Sequence, residues 1–236
     1  MKTWFPFTDY DFYAYLATGL TILFALDANL NDGKIILRDT WPFIQIVFAI
    51  SMSYVVGQLA AGFASIIFEH WLARKVLHPP TTILLCLKSS RWREKFVRNF
   101  IVGRYYEPFP KPIRGIVLNG VAEATNITPA DIKDPETVFQ VAFPIARSIP
   151  DTVTRLDDFR KLYGFSRNMS FAGMIASGAF FFNAHASDDG QLFMIAVCIT
   201  IASIMLCGRF LKFYSAYTAE VLRTYASART KEQTCS

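Results

Sequence analysis

Apolar residues in this chain gather into four long blocks instead of alternating with polar ones. Residues 42–68 carry no charge and exceed the ~20 residues that an α-helix needs to cross the hydrocarbon core of a bilayer. An earlier block covers residues 12–28, and two later ones cover 169–186 and 191–208. The later two are separated by Asp188-Asp189-Gly190, a turn signal too short for anything but a hairpin. Trp41 and Pro42 suit an interfacial ring followed by a first helical turn, and Pro79-Pro80 should stop that helix near His78. The pattern predicts four transmembrane helices. A cleaved leader is the competing reading of the first block, because Ala25-Leu26-Asp27-Ala28 offers small residues after an apolar core. Lys2 stands against Asp9 and Asp11, however, and Trp4 and Tyr10 suit an interfacial anchor, so a retained span is expected.

The long polar interval between the second and third blocks reads as helical too. On a helix, Arg91, Lys95 and Arg98 form a narrow basic ridge, with Trp92, Phe96, Val97, Phe100 and Ile101 on the other side. Pro108, Pro110 and Pro112 make an extended break. Residues 151–168 carry the apolar stripe Val153, Leu156, Phe159 and Tyr163, and lead into the third block as a link that could transmit movement or simply connect. Beyond Gly208 the helix should continue, with Tyr214, Tyr217, Val221 and Tyr225 at helical spacing. The expected organisation is a first transmembrane pair in 1–70, a basic cytoplasmic domain in 71–168, a second pair in 169–213 and a cytoplasmic helical tail in 214–236. The fold class is therefore an all-α membrane protein with a helical cytoplasmic domain inserted between the second and third spans.

Composition agrees with that class. The chain is 53% hydrophobic and only 18% charged, against roughly a quarter charged in an average soluble domain. Charge then sets orientation. Residues 71–168 hold sixteen Lys and Arg against nine acids, a net of +7. The loop near 27–41 has Asp27, Asp32 and Asp39 against Lys34 and Arg38, and the third-to-fourth turn is acidic. Basic residues near span ends belong on the cytoplasmic side, which puts both termini and the large loop inside. Asn126-Ile127-Thr128 matches a glycosylation acceptor, but a cytoplasmic location makes the match meaningless. The four cysteines show no C-x-x-C spacing and the three histidines are scattered, so no metal or cofactor is expected.

Candidate chemistry lies in two places. The spans hold polar and small residues: Gln45, Tyr54, Gly57, Gln58 and Ala61 in the second, Ser177 and Asn183 in the third, and Thr200 and Ser203 in the fourth. Gly57-x-x-x-Ala61 allows close helix approach. Gln58 sits near mid-bilayer, where an unsatisfied amide is costly, so it should face another helix or water. Either these residues join helices within one subunit or they line a pore in an oligomer. No Asp, Glu, Lys or Arg lies deep in a span, which argues against an ion-coupled carrier but not against a channel. The second place is the ridge of Arg91, Lys95 and Arg98. It would either lie on an anionic leaflet or hold a nucleotide, oligonucleotide or phospholipid head group. Motifs of phosphate loops, hydrolases and metalloenzymes are absent, and no catalytic residue is assigned.

Several short pieces add a resemblance. They are Phe12-Tyr13-Ala14-Tyr15-Leu16-Ala17-Thr18-Gly19-Leu20, Tyr54-x-x-Gly57, Glu69, and Leu162-Tyr163-Gly164-Phe165-Ser166-Arg167-Asn168. In order and layout the chain resembles bacterial four-helix membrane effectors of anti-phage defence, the HalB-like channels of the Hailong system. Thr18 departs from that pattern, which has Pro there. The resemblance implies an oligomeric channel in the bacterial inner membrane, controlled by a nucleic-acid product of a cytosolic nucleotidyltransferase. The rival expectations are a non-conducting membrane scaffold and a membrane-embedded enzyme acting on lipid.

Overall fold

The computed structural model describes residues 9–31, 33–35, 38, 40–87 and 107–235. Every regular element among them is helical. In chain order these are α1 (Asp9–Leu30), α2 (Phe43–Ala64), a π-helix (Ser65–Val76), α3 (Pro80–Leu85), α4 (Lys111–Thr125), a 3₁₀ turn (Pro129–Asp131), α5 (Pro135–Arg147), α6 (Pro150–Ser187) and α7 (Gly190–Cys235). Two helical stretches, Phe43–Leu85 and Gly190–Glu232, are long and apolar enough to cross a membrane, and Ala14–Leu30 is a shorter apolar helix. Pro42 precedes α2 with an extended backbone, and its carbonyl accepts from the amides of Gln45 and Ile46 in the first turn. The helical path closes with Leu77 N–H donating five residues back to Leu72 O, and Pro79 and Pro80 then open the short α3. Asp188 takes a left-handed conformation between α6 and α7.

The chain divides into two compact units. The first comprises Met1–His70 and Gly164–Phe210. Its interior is built from small side chains: Ala25, Ala60, Ala172, Ala176 and Ala196 are buried, with Ile22 and Phe180 filling between them. Small residues let helix backbones come close, the packing used where lipid removes any hydrophobic drive between helices. Large apolar side chains point outward instead. Phe43, Ile44, Phe48, Leu59, Phe63 and Phe182 are among the exposed residues. Soluble monomers rarely expose large contiguous apolar surface.

The second unit comprises Trp71–Tyr163 and Leu211–Ser236, and packs in the opposite way. Leu84, Val117, Val121, Val138, Leu156, Leu222 and Tyr225 form a continuous core, each side chain worth roughly 1.5–3 kcal/mol in burial. The segment 214–236, which the sequence suggests as a tail, supplies much of that core. Val221, Leu222 and Tyr225 are fully buried. Helix α5 starts at Asp134, whose carboxylate accepts from the amides of Glu136 and Thr137 and from the Thr137 hydroxyl. Those bonds hold its carboxyl below the usual aspartate range, the Thr137 hydroxyl contributing most.

Candidate functional site

Within the first unit, α1 and α2 meet through two glycines. A Cβ at Gly57 would lie 1.9 Å from the carbonyl oxygen of Tyr15, and one at Gly19 would lie 1.7 Å from that of Ser53. Gly57 thus serves close packing with the chain's own first helix, and Ala61 is buried on the same side. Nearby, the fully buried Thr18 donates its hydroxyl to Ala14 O at 2.8 Å and lies 3.7 Å from the Met169 sulfur.

The hairpin of α6 and α7 settles its own polar groups. Ser170 donates to the carbonyl of Ser203 at 2.8 Å. Ser177 reaches Ala196 O at 3.1 Å and the Thr200 hydroxyl at 2.5 Å. Thr200 and Ser203 also bond back to the carbonyls of Ala196 and Ile199. These residues act as contacts between two helices of one chain. Asn183 accepts from Ser187 near the C-terminal end of α6. Gln45 accepts from Arg38 at 3.4 Å on the exposed side of α2.

Helix α2 differs, because part of its outward surface is polar. Ser51, Tyr54, Gln58, Gly62 and Ser65 follow one another at spacings of three or four, which stacks them on one side of a helix. Ser51, Gln58 and Gly62 are exposed, and Tyr54 and Ser65 are half-buried. Gln58 donates its amide to the Tyr54 hydroxyl at 2.8 Å. Tyr54 in turn meets the Tyr15 ring edge-on at 5.9 Å between centroids. A Cβ on Gly62 would meet nothing within 4 Å. The stripe is flanked by Val55, Leu59 and Phe63, all exposed and apolar. Among the described residues, Gln58 therefore does not face another helix of its own chain.

At its C-terminal end the stripe runs into charge. The Ser65 hydroxyl donates to Glu69 Oε2 at 3.3 Å, and Glu69 Oε1 is ion-paired with Arg167 Nη1. The Arg167 Nε donates to Asn168 Oδ1 at 3.0 Å. Both ion-pair partners are largely shielded, with side-chain exposures of 26% for Glu69 and 13% for Arg167. Glu69 lies within the π-helix, a rare wide-turned conformation that recurs at functional positions. Reasoning from sequence missed this pair as a unit. A signal was present: Glu69 is the one acid between Asp39 and Glu94, and Arg167 is the last Lys or Arg before Arg209.

In the second unit, a row of rings joins α5, α6 and α7. Phe143 stacks on Phe139 at 5.4 Å, and Tyr217 lies between Phe139 and Tyr163 at 6.3 and 6.0 Å. Burial pushes the Tyr217 hydroxyl above its ordinary value, while Arg160 and Arg147 pull it down. Arg91, Lys95 and Arg98 lie outside the described residues. Among the described residues no group of His, Cys, Asp and Glu could hold a metal ion. Comparison with protein-family models, curated proteins and solved structures gives no match.

Proposed function

We propose that this chain is a multi-pass protein of the bacterial inner membrane that assembles with copies of itself into a channel. In this reading α1, α2, α6 and α7 supply four spans, and both termini and the basic residues of 71–163 are cytoplasmic. The apolar belt of the first unit supports membrane insertion. Support for conduction comes from one observation: Gln58 is exposed, within a polar stripe, on a mainly apolar helix whose packing face is already occupied by α1. The Tyr54 hydroxyl takes one of the amide's donors, and an amide group left facing hydrocarbon without a partner loses about 2–7 kcal/mol relative to water. Water or a second copy of the chain would remove that loss.

Control by a nucleotide or oligonucleotide, supplied by a cytosolic nucleotidyltransferase, belongs to the same proposal. The net +7 of residues 71–168 and the resemblance to anti-phage membrane effectors support it. The test is ion flux through the purified chain in liposomes, with and without short oligonucleotides, together with its mass in detergent. An oligomer that conducts, and whose flux responds to oligonucleotide, is the expected result. A monomer without flux under either condition refutes the channel. The scaffold reading has one observation in its favour, the internal bonding of Ser170, Ser177, Thr200 and Ser203. It expects no flux from a stable oligomer.

A further inference from the structure

We propose that the polar stripe of α2 is the water-facing surface of the channel, and that the Glu69–Arg167 pair at its inner end keeps the path open to small ions of either sign. This rests on the channel reading and assigns to it a lining helix, a solute class and a selectivity pair.

The argument starts from what each face of α2 does. One face carries Ser53, Gly57, Ala60, Ala61 and Ala64 and is buried. A second carries Val55, Leu59, Phe63 and Ile66 and is apolar and exposed, as contact with lipid requires. The third carries Ser51, Tyr54, Gln58, Gly62 and Ser65. It offers hydroxyls, an amide and the bare backbone of Gly62, which leaves room for solvent. Polar groups in a membrane face the bundle interior or a water-filled cavity. The polar groups of α6 and α7 face one another across the hairpin, whereas Ser51, Gln58 and Gly62 of α2 are exposed, so the outward stripe is the surface open to a cavity.

Charge at the end of the stripe decides what passes. A ring of carboxylates from several copies would favour cations. Here each Glu69 is matched by its own Arg167, with Ser65 on one carboxylate oxygen and Asn168 on the guanidinium. The remainder of the stripe carries no charge. A neutral polar lining discriminates weakly between ions of opposite sign. Removing one partner exposes the charge of the other.

Two measurements on the full chain in liposomes test this. In the first, Cys86, Cys198, Cys207 and Cys235 are replaced by Ser, and single cysteines are introduced as Ser51→Cys, Gln58→Cys, Gly62→Cys, Val55→Cys, Leu59→Cys and Phe63→Cys. A charged, membrane-impermeant thiol reagent should modify the first three and leave the last three unmodified. Equal modification of both sets, or modification of the apolar set alone, overturns the stripe. In the second, permeability to potassium relative to chloride is taken from the reversal potential in a KCl gradient. The parent should lie near unity. Arg167→Gln should raise the ratio and Glu69→Gln should lower it, each about fivefold, the Coulomb effect of one unit charge at ~4 Å in water. The double variant should return to parent. No change in either single variant, or a change of the same sign in both, overturns the selectivity pair. Stripe modification without current under any condition would keep the water-facing surface and refute conduction. Current without stripe modification would keep conduction and refute the lining.

Discussion

Replacing Gly57 by Ala adds a single methyl group where the structure leaves no space. That methyl would sit 1.9 Å from the Tyr15 carbonyl oxygen and 2.6 Å from its carbon, whereas ordinary contact begins near 3.4 Å. Its neighbours are backbone atoms, which cannot rotate aside as a side chain can. The α1 and α2 axes would have to part locally by about 1.5 Å, the difference between those distances. Gaps of 0.5–1 Å already forfeit a quarter to a half of a dispersion contact. Overpacking of this kind typically costs about 1–3 kcal/mol, offset by roughly 0.5–1 kcal/mol from the better helix propensity of Ala. A net loss of about 1–2 kcal/mol is expected. The assay is reversible unfolding in mixed micelles with rising denaturing detergent, followed by helicity. Gly62→Ala is the internal control, because its Cβ would meet nothing within 4 Å, and it should be neutral or slightly stabilising. Equal stability of Gly57→Ala and parent, or an equal loss in Gly62→Ala, would refute the close-approach argument.

Three further outcomes follow from other parts of the molecule. Asp134→Ala should destabilise the chain by about 1 kcal/mol at neutral pH, since it removes an N-cap. Because folding lowers the Asp134 pKa, its contribution is present above the unfolded aspartate value of ~3.9 and fades as pH falls through the folded one. Melting curves of parent and variant should therefore converge in acid; a gap as large at low pH as at neutral pH would contradict this origin. Gly120→Ala should cost about 1–3 kcal/mol, because its Cβ would approach the hydroxyl of the fully buried Tyr225 to 2.7 Å; an unchanged melting temperature would show that the site yields freely. Asp27 is buried and accepts from the Ile35 amide at 3.2 Å and the Asn31 side chain at 3.3 Å. Asp27→Ala should speed hydrogen exchange at Ile35, and unaltered exchange there would mean that the carboxylate does not hold the turn.

How much could be read from sequence varied with the reach of the signal. The helical class was legible because 42–68 and 191–208 are uninterrupted apolar runs; α2 and the π-helix after it take up all of the first but Pro42, and α7 covers the second. The turn at Asp188-Asp189-Gly190 was legible because short polar residues tolerate a left-handed backbone, as Asp188 does. The role of 214–236 was harder to read. Tyr214, Tyr217, Val221 and Tyr225 gave a stripe, but a stripe does not say what it packs on, and Val117, Val121 and Val138 lie far away in sequence. Gly57 was recognised as a packing residue, while its partner Tyr15 was not, since backbone contact leaves no mark on side-chain pattern. Gln58 was placed at mid-span, but its exposure depends on which face α1 occupies. Glu69 and Arg167, 98 positions apart, form a pair that no local periodicity encodes.

The α6–α7 hairpin has a consequence for biogenesis. Ser170, Ser177, Thr200 and Ser203 find their partners between these two helices or within their own helical turns. Only Asp188 and Asp189 separate the two helices. On the proposed four-span reading, a nascent hairpin that pairs before or during its passage into the bilayer would carry these hydroxyls already satisfied, so no other segment would have to be waiting there. It would integrate as a unit, in one register, since the bonds from Ser170 and Ser177 would be lost together on a slip of one residue. Helix α2 differs on the proposed membrane reading: Ser51 and Gln58 bond within their own helix yet stay exposed, so their final surroundings are completed only when further copies assemble.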